Sequence, residues 1–248
     1  MKKFCFVLVC ITISRFGIAQ EKIDTDRPDQ TESAFTVPKR YFQAELGFNK
    51  EDFSNKNFRI LHPTSLFRYG INDNLELRLE LVYGTDYLHM IPNTIIEGFL
   101  EPIEIGTKVN LWSESGLRPQ TSIIAHVGLP FLASKKYQTD PVNYSARLTM
   151  QNSLSEHASL GYNIGVEGGG GEETAFLYTI APGWELGDRW YVYGEFFGYV
   201  KKISEHYFDF GVAFYPSQNT KVDFSSGFTI NNADMQRYLA IGFSFRIK

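Results

Sequence analysis

From Tyr41 to the C-terminus, apolar and polar positions alternate with a period of two, in short runs separated by turn residues. Successive strand side chains point to opposite faces, so each run marks a β-strand with one apolar and one polar face. The clearest run is 75–84. Leu75, Leu77, Leu79, Leu81 and Tyr83 share one face; Glu76, Arg78, Glu80, Val82 and Gly84 share the other. Similar runs at 41–49, 58–70, 99–112, 118–130, 142–154, 159–167, 174–185, 190–200, 206–215, 220–229 and 235–247 bring the predicted total to twelve strands.

The connections alternate in character. Tight polar turns at 71–74, 113–116, 155–158, 186–189 and 216–219 follow the even-numbered runs, whereas longer pieces such as 50–57, 85–98 and 131–141 follow odd-numbered ones. Short turns at one end and long loops at the other are the pattern of a bacterial outer-membrane barrel. The predicted fold is therefore all-β: a transmembrane antiparallel up-and-down β-barrel with short periplasmic turns and longer extracellular loops. An even strand count puts both ends of the barrel on the periplasmic side.

The two faces bear on whether lipid or water surrounds the sheet. The apolar set runs through Phe42, Leu46, Phe48, Phe67, Tyr69, Ile105, Ile164, Phe210, Phe224, Ile241, Phe243 and Phe245 and carries almost no charge. A Lys or Arg at mid-bilayer on a barrel's lipid face costs roughly 2 to 4 kcal/mol, which explains such an exclusion. A soluble sandwich could bury the same face against a second sheet. It would then turn Gly47, Gly84, Gly106, Gly128, Gly161, Gly165, Gly211, Gly227 and Gly242 towards solvent, where strand glycine only weakens a sheet. Inside a closed barrel, glycine makes room for larger neighbours or a passage. The last run ends on Leu239, Ile241, Phe243, Phe245 and Ile247 in one phase, as closing strands of outer-membrane barrels do, with Lys248 where an aromatic residue is common.

The first residues have the three parts of a secretory signal: Lys2 and Lys3, an apolar run from Phe4 to Ile13, and small Gly17 and Ala19 before Gln20. Residues 1–19 are read as a cleaved signal, 20–40 as a periplasmic N-terminal segment and 41–248 as the barrel. Cys5 and Cys10 both fall in the signal, so the mature chain has neither disulfide nor thiolate. Loss of Lys2, Lys3 and Arg15 moves the net charge from −4 to −7, which leaves no nucleic-acid footprint. Aromatic residues make up 15% of the chain, including 21 Phe and 14 Tyr, as expected if rings face lipid.

Candidate chemistry lies on the inward face: Glu45, Arg68, Glu76, Arg78, Glu80, Glu104, Lys108, His126, Arg147, Glu167, Glu195, Asp209, Asp223 and Arg246. These lumen-lining residues form either a polar pore wall that filters small solutes or a salt-bridge network that fills the interior. Mixed signs argue against strong ion selectivity. In the ninth run, Tyr191, Tyr193, Glu195, Phe197 and Tyr199 alternate with other apolar residues, so the phase facing the lumen is open; the tyrosines could stack solutes or simply pack. Ahead of the first run, Asp26, Arg27, Pro28 and Asp29 belong to a short plug in the periplasmic mouth or to a disordered leader.

No catalytic group is expected. His157-Ala158-Ser159 has a His-x-Ser spacing, but two common residues in a predicted periplasmic turn are a weak hydrolase signal. His62, His89, His126 and His206 are isolated, so neither metal nor cofactor is expected, and Gly168 to Gly171 lacks the Lys-Ser/Thr of a P-loop.

The segment Thr25-Asp26-Arg27-Pro28-Asp29-Gln30-Thr31-Glu32-Ser33, with Val37-Pro38-Lys39 after it, resembles the start of a bacterial outer-membrane transporter family described as the putative MetA-pathway of phenol degradation. Arg68-Tyr69-Gly70, Gly106-Thr107-Lys108, Leu129-Pro130, Asn219 with Asp223, and the strand containing Gly242 extend the resemblance along the mature chain. Ala34 and Arg40 stand where the family has Pro and Gly. The resemblance implies a transport-like barrel in the outer membrane, with lipid, a small solute and the barrel-assembly machinery as partners. The alternative function is a non-conducting structural or adhesive barrel that acts through its outer loops.

Overall fold

The computed structural model describes residues 22–90, 93–231 and 234–248. The predicted signal sequence lies outside the described residues. The strands are β1 (Phe42–Phe53), β2 (Phe58–Asn72), β3 (Leu75–His89), β4 (Thr94–Leu100), β5 (Ile103–Trp112), β6 (Gln120–Leu129), β7 (Tyr144–Ser153), β8 (Ala158–Gly169), β9 (Glu172–Leu186), β10 (Trp190–Val200), β11 (Glu205–Ser217), β12 (Thr220–Thr229) and β13 (Met235–Ile247).

Every neighbouring pair is antiparallel, and β13 returns to pair with β1, Phe42 facing Ile247 and Phe48 facing Ile241, so the sheet closes into a 12-stranded barrel. One stave is broken. β5 pairs with the lower part of β3, from Leu75 to Glu80, and β4 pairs with its upper part, from Tyr83 to His89. The interruption falls at Glu101–Pro102, where proline cannot donate to the ladder. Most of the predicted long loop at 85–98 is consequently strand, β3 up to His89 and β4 from Thr94, paired as a hairpin above β5, while 131–141 does form an irregular outer loop with two short 3-10 turns.

The alternation sets which face is which. Phe48, Ile105, Ile164, Phe210, Phe224 and Ile241 point outward and stay exposed, an apolar belt that only lipid can cover. The inward phase is polar and buried. Its glycines sit under large neighbours: a side chain at Gly106 would run into the His126 ring, and one at Gly211 into the Tyr193 ring. The ladder also settles the phase of β10, turning Tyr191, Tyr193, Glu195, Phe197 and Tyr199 towards the lumen and leaving Trp190 and Phe196 exposed.

Candidate functional site: the occupied lumen

Residues 22–40 contain no strand, yet they run inside the barrel rather than beside it. The Ile23 amide donates to the Gln218 carbonyl in the β11–β12 turn (2.7 Å), and the Arg40 amide to the Gly70 carbonyl at the end of β2 (2.7 Å), so the segment enters and leaves at the short-turn end. Between these points its backbone has no ladder to join. Buried backbone groups must be paired, and the inward polar residues take the place of strand partners. Glu45 accepts the amides of Asp26 (2.9 Å) and Arg27 (3.1 Å). Glu195 accepts that of Gln30 (2.7 Å), Asn163 that of Glu32 (2.7 Å) and Glu76 that of Val37 (2.7 Å). Ser122 donates to the Ala34 carbonyl (2.6 Å), and Thr149 to that of Glu32.

The side chains of the segment meet the wall's charges. Asp26 is gripped by three cations: Arg78 (2.7 Å), Lys108 (3.0 Å) and Arg68 (3.3 Å). Arg68 also forks onto Glu76 (2.8 and 3.0 Å) and reaches Glu45 (3.0 Å). Arg78 bridges Glu32 (2.8 Å) and Glu76 (3.0 Å), and its Nε donates to Nε2 of His126 (3.0 Å). Arg27 turns the other way, around the β1 seam, to Asp223 on β12 (3.1 Å). Burial alone would raise the Asp26 pKa, but Arg68, Lys108 and Arg78 outweigh it and hold the carboxyl well below its usual range. Asp29 shifts oppositely: burial and nearby Asp209 push its pKa well up, against the pull of Lys221.

Among the predicted inward charges, Glu45, Arg68, Glu76, Arg78, Lys108, His126, Glu195, Asp209 and Asp223 are thus buried in the lower lumen around the segment. Glu80, Glu104 and Arg147 are less buried and border a cavity of about 380 Å³ on the long-loop side, which Glu101 and Glu167 also line. A second cavity on that side, about 290 Å³, is walled by Phe197, Tyr199, Tyr207 and Tyr238. On the short-turn side, Asp24, Arg27, Tyr191 and Tyr215 line a cavity of about 270 Å³. Glu32 borders both this cavity and the largest outer one. Arg246 sits apart at the short-turn rim, donating to Asn219 (3.1 Å) with its guanidinium over the Tyr41 ring. His157 lies in the β7–β8 turn and Ser159 at the start of β8, both lining the short-turn cavity.

Sequence reasoning confined to charges missed the neutral half of this interior. Ser122, Thr149, Asn163 and Thr179 lie in the same phase as His126, Arg147, Glu167 and Leu177 on their strands, and this register would have found them. It also missed Lys221, two residues from Asp223, whose ammonium donates to the Thr25 hydroxyl and the Arg27 carbonyl.

With this geometry in hand, comparison with known proteins places the chain. Residues 25–247 match the family described as "Putative MetA-pathway of phenol degradation". The chain belongs to that family. The match begins at Thr25, so it includes the segment inside the barrel as well as the strands. No curated protein is similar enough to count as a relative. Among solved structures, the COG4313 outer membrane channel from Pseudomonas putida F1 aligns with a TM-score of 0.68 at 5% identity, over 87% of this chain and 98% of that one. The NanC porin aligns at 0.54 with 7% identity (83% and 100% covered), and the KdgM porin at 0.51 with 10% (82% and 99%). At such identities the likeness is one of fold: this member of the family is an outer-membrane β-barrel.

Proposed function

We propose that this family member is a narrow channel for small solutes, closed at rest by residues 22–40 acting as a gate in the periplasmic half of the lumen. The observation that carries this reading is the way the interior is filled. A barrel stiffened only for structure can fill its lumen from its own walls. Here the strand side chains leave cavities above and below, and a strandless segment tethered to the barrel through Tyr41 fills the space between them. The hydrogen bonds and ion pairs that tie that segment to the wall are of a kind that water or a solute can replace. The mixed-charge lining named above then forms the filter.

Planar-bilayer recording tests the proposal. The mature full-length chain should give brief, infrequent openings. Asp26→Ala, which withdraws the carboxylate that three cations share, should lengthen them, and deletion of residues 22–40 should give sustained steps. Silence from all three refolded proteins would instead favour a non-conducting structural barrel.

A further inference from the structure

The occupant of the lumen reveals what the lumen can recognise. Asp26 and Arg27 are consecutive, and each side chain fills a different built niche. The first is a cradle of Arg68, Arg78 and Lys108, each no more than 2% exposed. Its ligand is a carboxylate. Glu45 and Glu76 offset two of these cations within the wall, but Lys108 directs its ammonium only at groups of the segment, the Asp26 carboxylate and the Phe35 carbonyl. Without the segment, three cations face only Glu45 and Glu76, the cross-strand neighbour of Lys108, so the cradle keeps one positive charge in excess.

The second niche is cut into the seam where the chain's first and last strands pair. Gly47 and Gly242 face each other across β1 and β13. A Cβ on either would overlap the Arg27 guanidinium, so both must be glycine for a guanidinium to lie flat against the wall. Asp223, 2% exposed, closes the back of the niche. Arg27 fits it imperfectly: it makes one bond to Oδ1 of Asp223, while Oδ2 of Asp223 and its own Nε are buried without a partner. A guanidinium free of the peptide backbone could pair with both carboxylate oxygens. Between the niches stands Glu45, which accepts two segment amides and is as well placed to accept an ammonium.

We propose that these two niches and Glu45 form a recognition site for a basic α-amino acid: α-carboxylate to Arg68, Arg78 and Lys108, α-ammonium to Glu45, guanidinium or terminal amine to Asp223 between Gly47 and Gly242. Asp26-Arg27 is the chain's own imitation of that solute. The proposal rests on the reading of residues 22–40 as a displaceable gate. The acidic lining of the outer cavity agrees with it, since Glu80, Glu101, Glu104 and Glu167 outnumber Arg147 and Lys201 there and favour a solute that arrives cationic end first.

The test uses the full mature chain in detergent. L-arginine should bind Asp26→Ala/Arg27→Ala saturably by calorimetry, tighter than the unsubstituted chain by roughly tenfold or more, the factor worth one charge-assisted hydrogen bond. Methylguanidinium and acetate, each matching one niche alone, should bind more weakly than L-arginine. Adding Lys108→Met should abolish the preference over methylguanidinium, and adding Gly242→Val the preference over acetate. Should the double variant not refold, the unsubstituted chain still decides: L-arginine, but neither half-ligand at equal concentration, should increase protease cleavage within residues 22–40. Absence of saturable binding, or indifference among the three probes, overturns the proposal. Bilayer currents separate it from the gate reading. Arginine binding without any current would leave the site and remove the channel; current without arginine preference would do the reverse.

Discussion

Arg68 is 1% exposed and holds Asp26, Glu45 and Glu76 together, so its removal takes a cation from all three carboxylates and leaves buried Glu45 without its ion pair. Breaking a buried pair by deleting one partner typically costs about 3 to 5 kcal/mol. Arg68→Ala should lose stability on that scale in denaturant unfolding from lipid vesicles, and Arg68→Lys should recover only part of it because an ammonium cannot fork onto Glu76. Carboxyls of the segment also set a pH window for its docking. Asp26 is held below the roughly 3.9 of an unfolded aspartate, so its contribution is complete above that value and disappears as the pH falls through its own lowered pKa. Asp29 is raised, so its contribution is complete below the unfolded value and disappears as the pH rises through its elevated pKa. Protection of residues 22–40 from protease should therefore be greatest between these limits, and Asp29→Asn should weaken the alkaline limb, which Asp24, also raised by burial, shares, while leaving the acid limb in place.

At the scale of elements, the return of the segment along β2 offers a sharper test than any ion pair. A Cβ at Gly70 would overlap the backbone carbonyls of Val37 and Pro38, which cannot swing aside as a side chain can. Gly70→Ala should displace the 37–40 stretch and expose it to protease with the barrel still folded, as judged by heat-modifiable gel mobility. The strands themselves were legible because each had one face sorted for lipid: Leu75 to Tyr83 needs only a period of two to be recognised. Legibility failed where that sorting failed. β10 is apolar in both phases, so only the ladder with β9 and β11 shows that Tyr193 faces inward. Past Gly84, β3 runs in the hairpin above β5, where neither face needs to be uniform, and Thr85 to His89 read as loop. The course of residues 22–40 was beyond any local pattern. Its partners lie as far away in sequence as Glu195 and Asp223, and no periodicity in Thr25 to Ser33 encodes them.

The whole molecule is a shell with lipid outside and ions inside, and the two sides should respond to substitution in opposite ways. Ile164, midway along β8 and 55% exposed, faces the bilayer; Ile164→Arg should cost roughly 2 to 4 kcal/mol in vesicle refolding equilibria without altering conductance. Inward changes such as Asp26→Ala should alter conductance at a smaller cost in barrel stability, because the strand ladders remain intact.

The glycine pair at the seam has a consequence for assembly. Gly47, Gly242 and Asp223 belong to the first strand and the last two, so the niche for Arg27 exists only once β13 has zipped onto β1. A chain halted with its seam open has nowhere to lodge Arg27, so residues 22–40 should then be more open to added protease than in the closed barrel. Seating of Arg27 is in this sense a receipt for completed closure, issued by the two ends of the chain that finish the barrel.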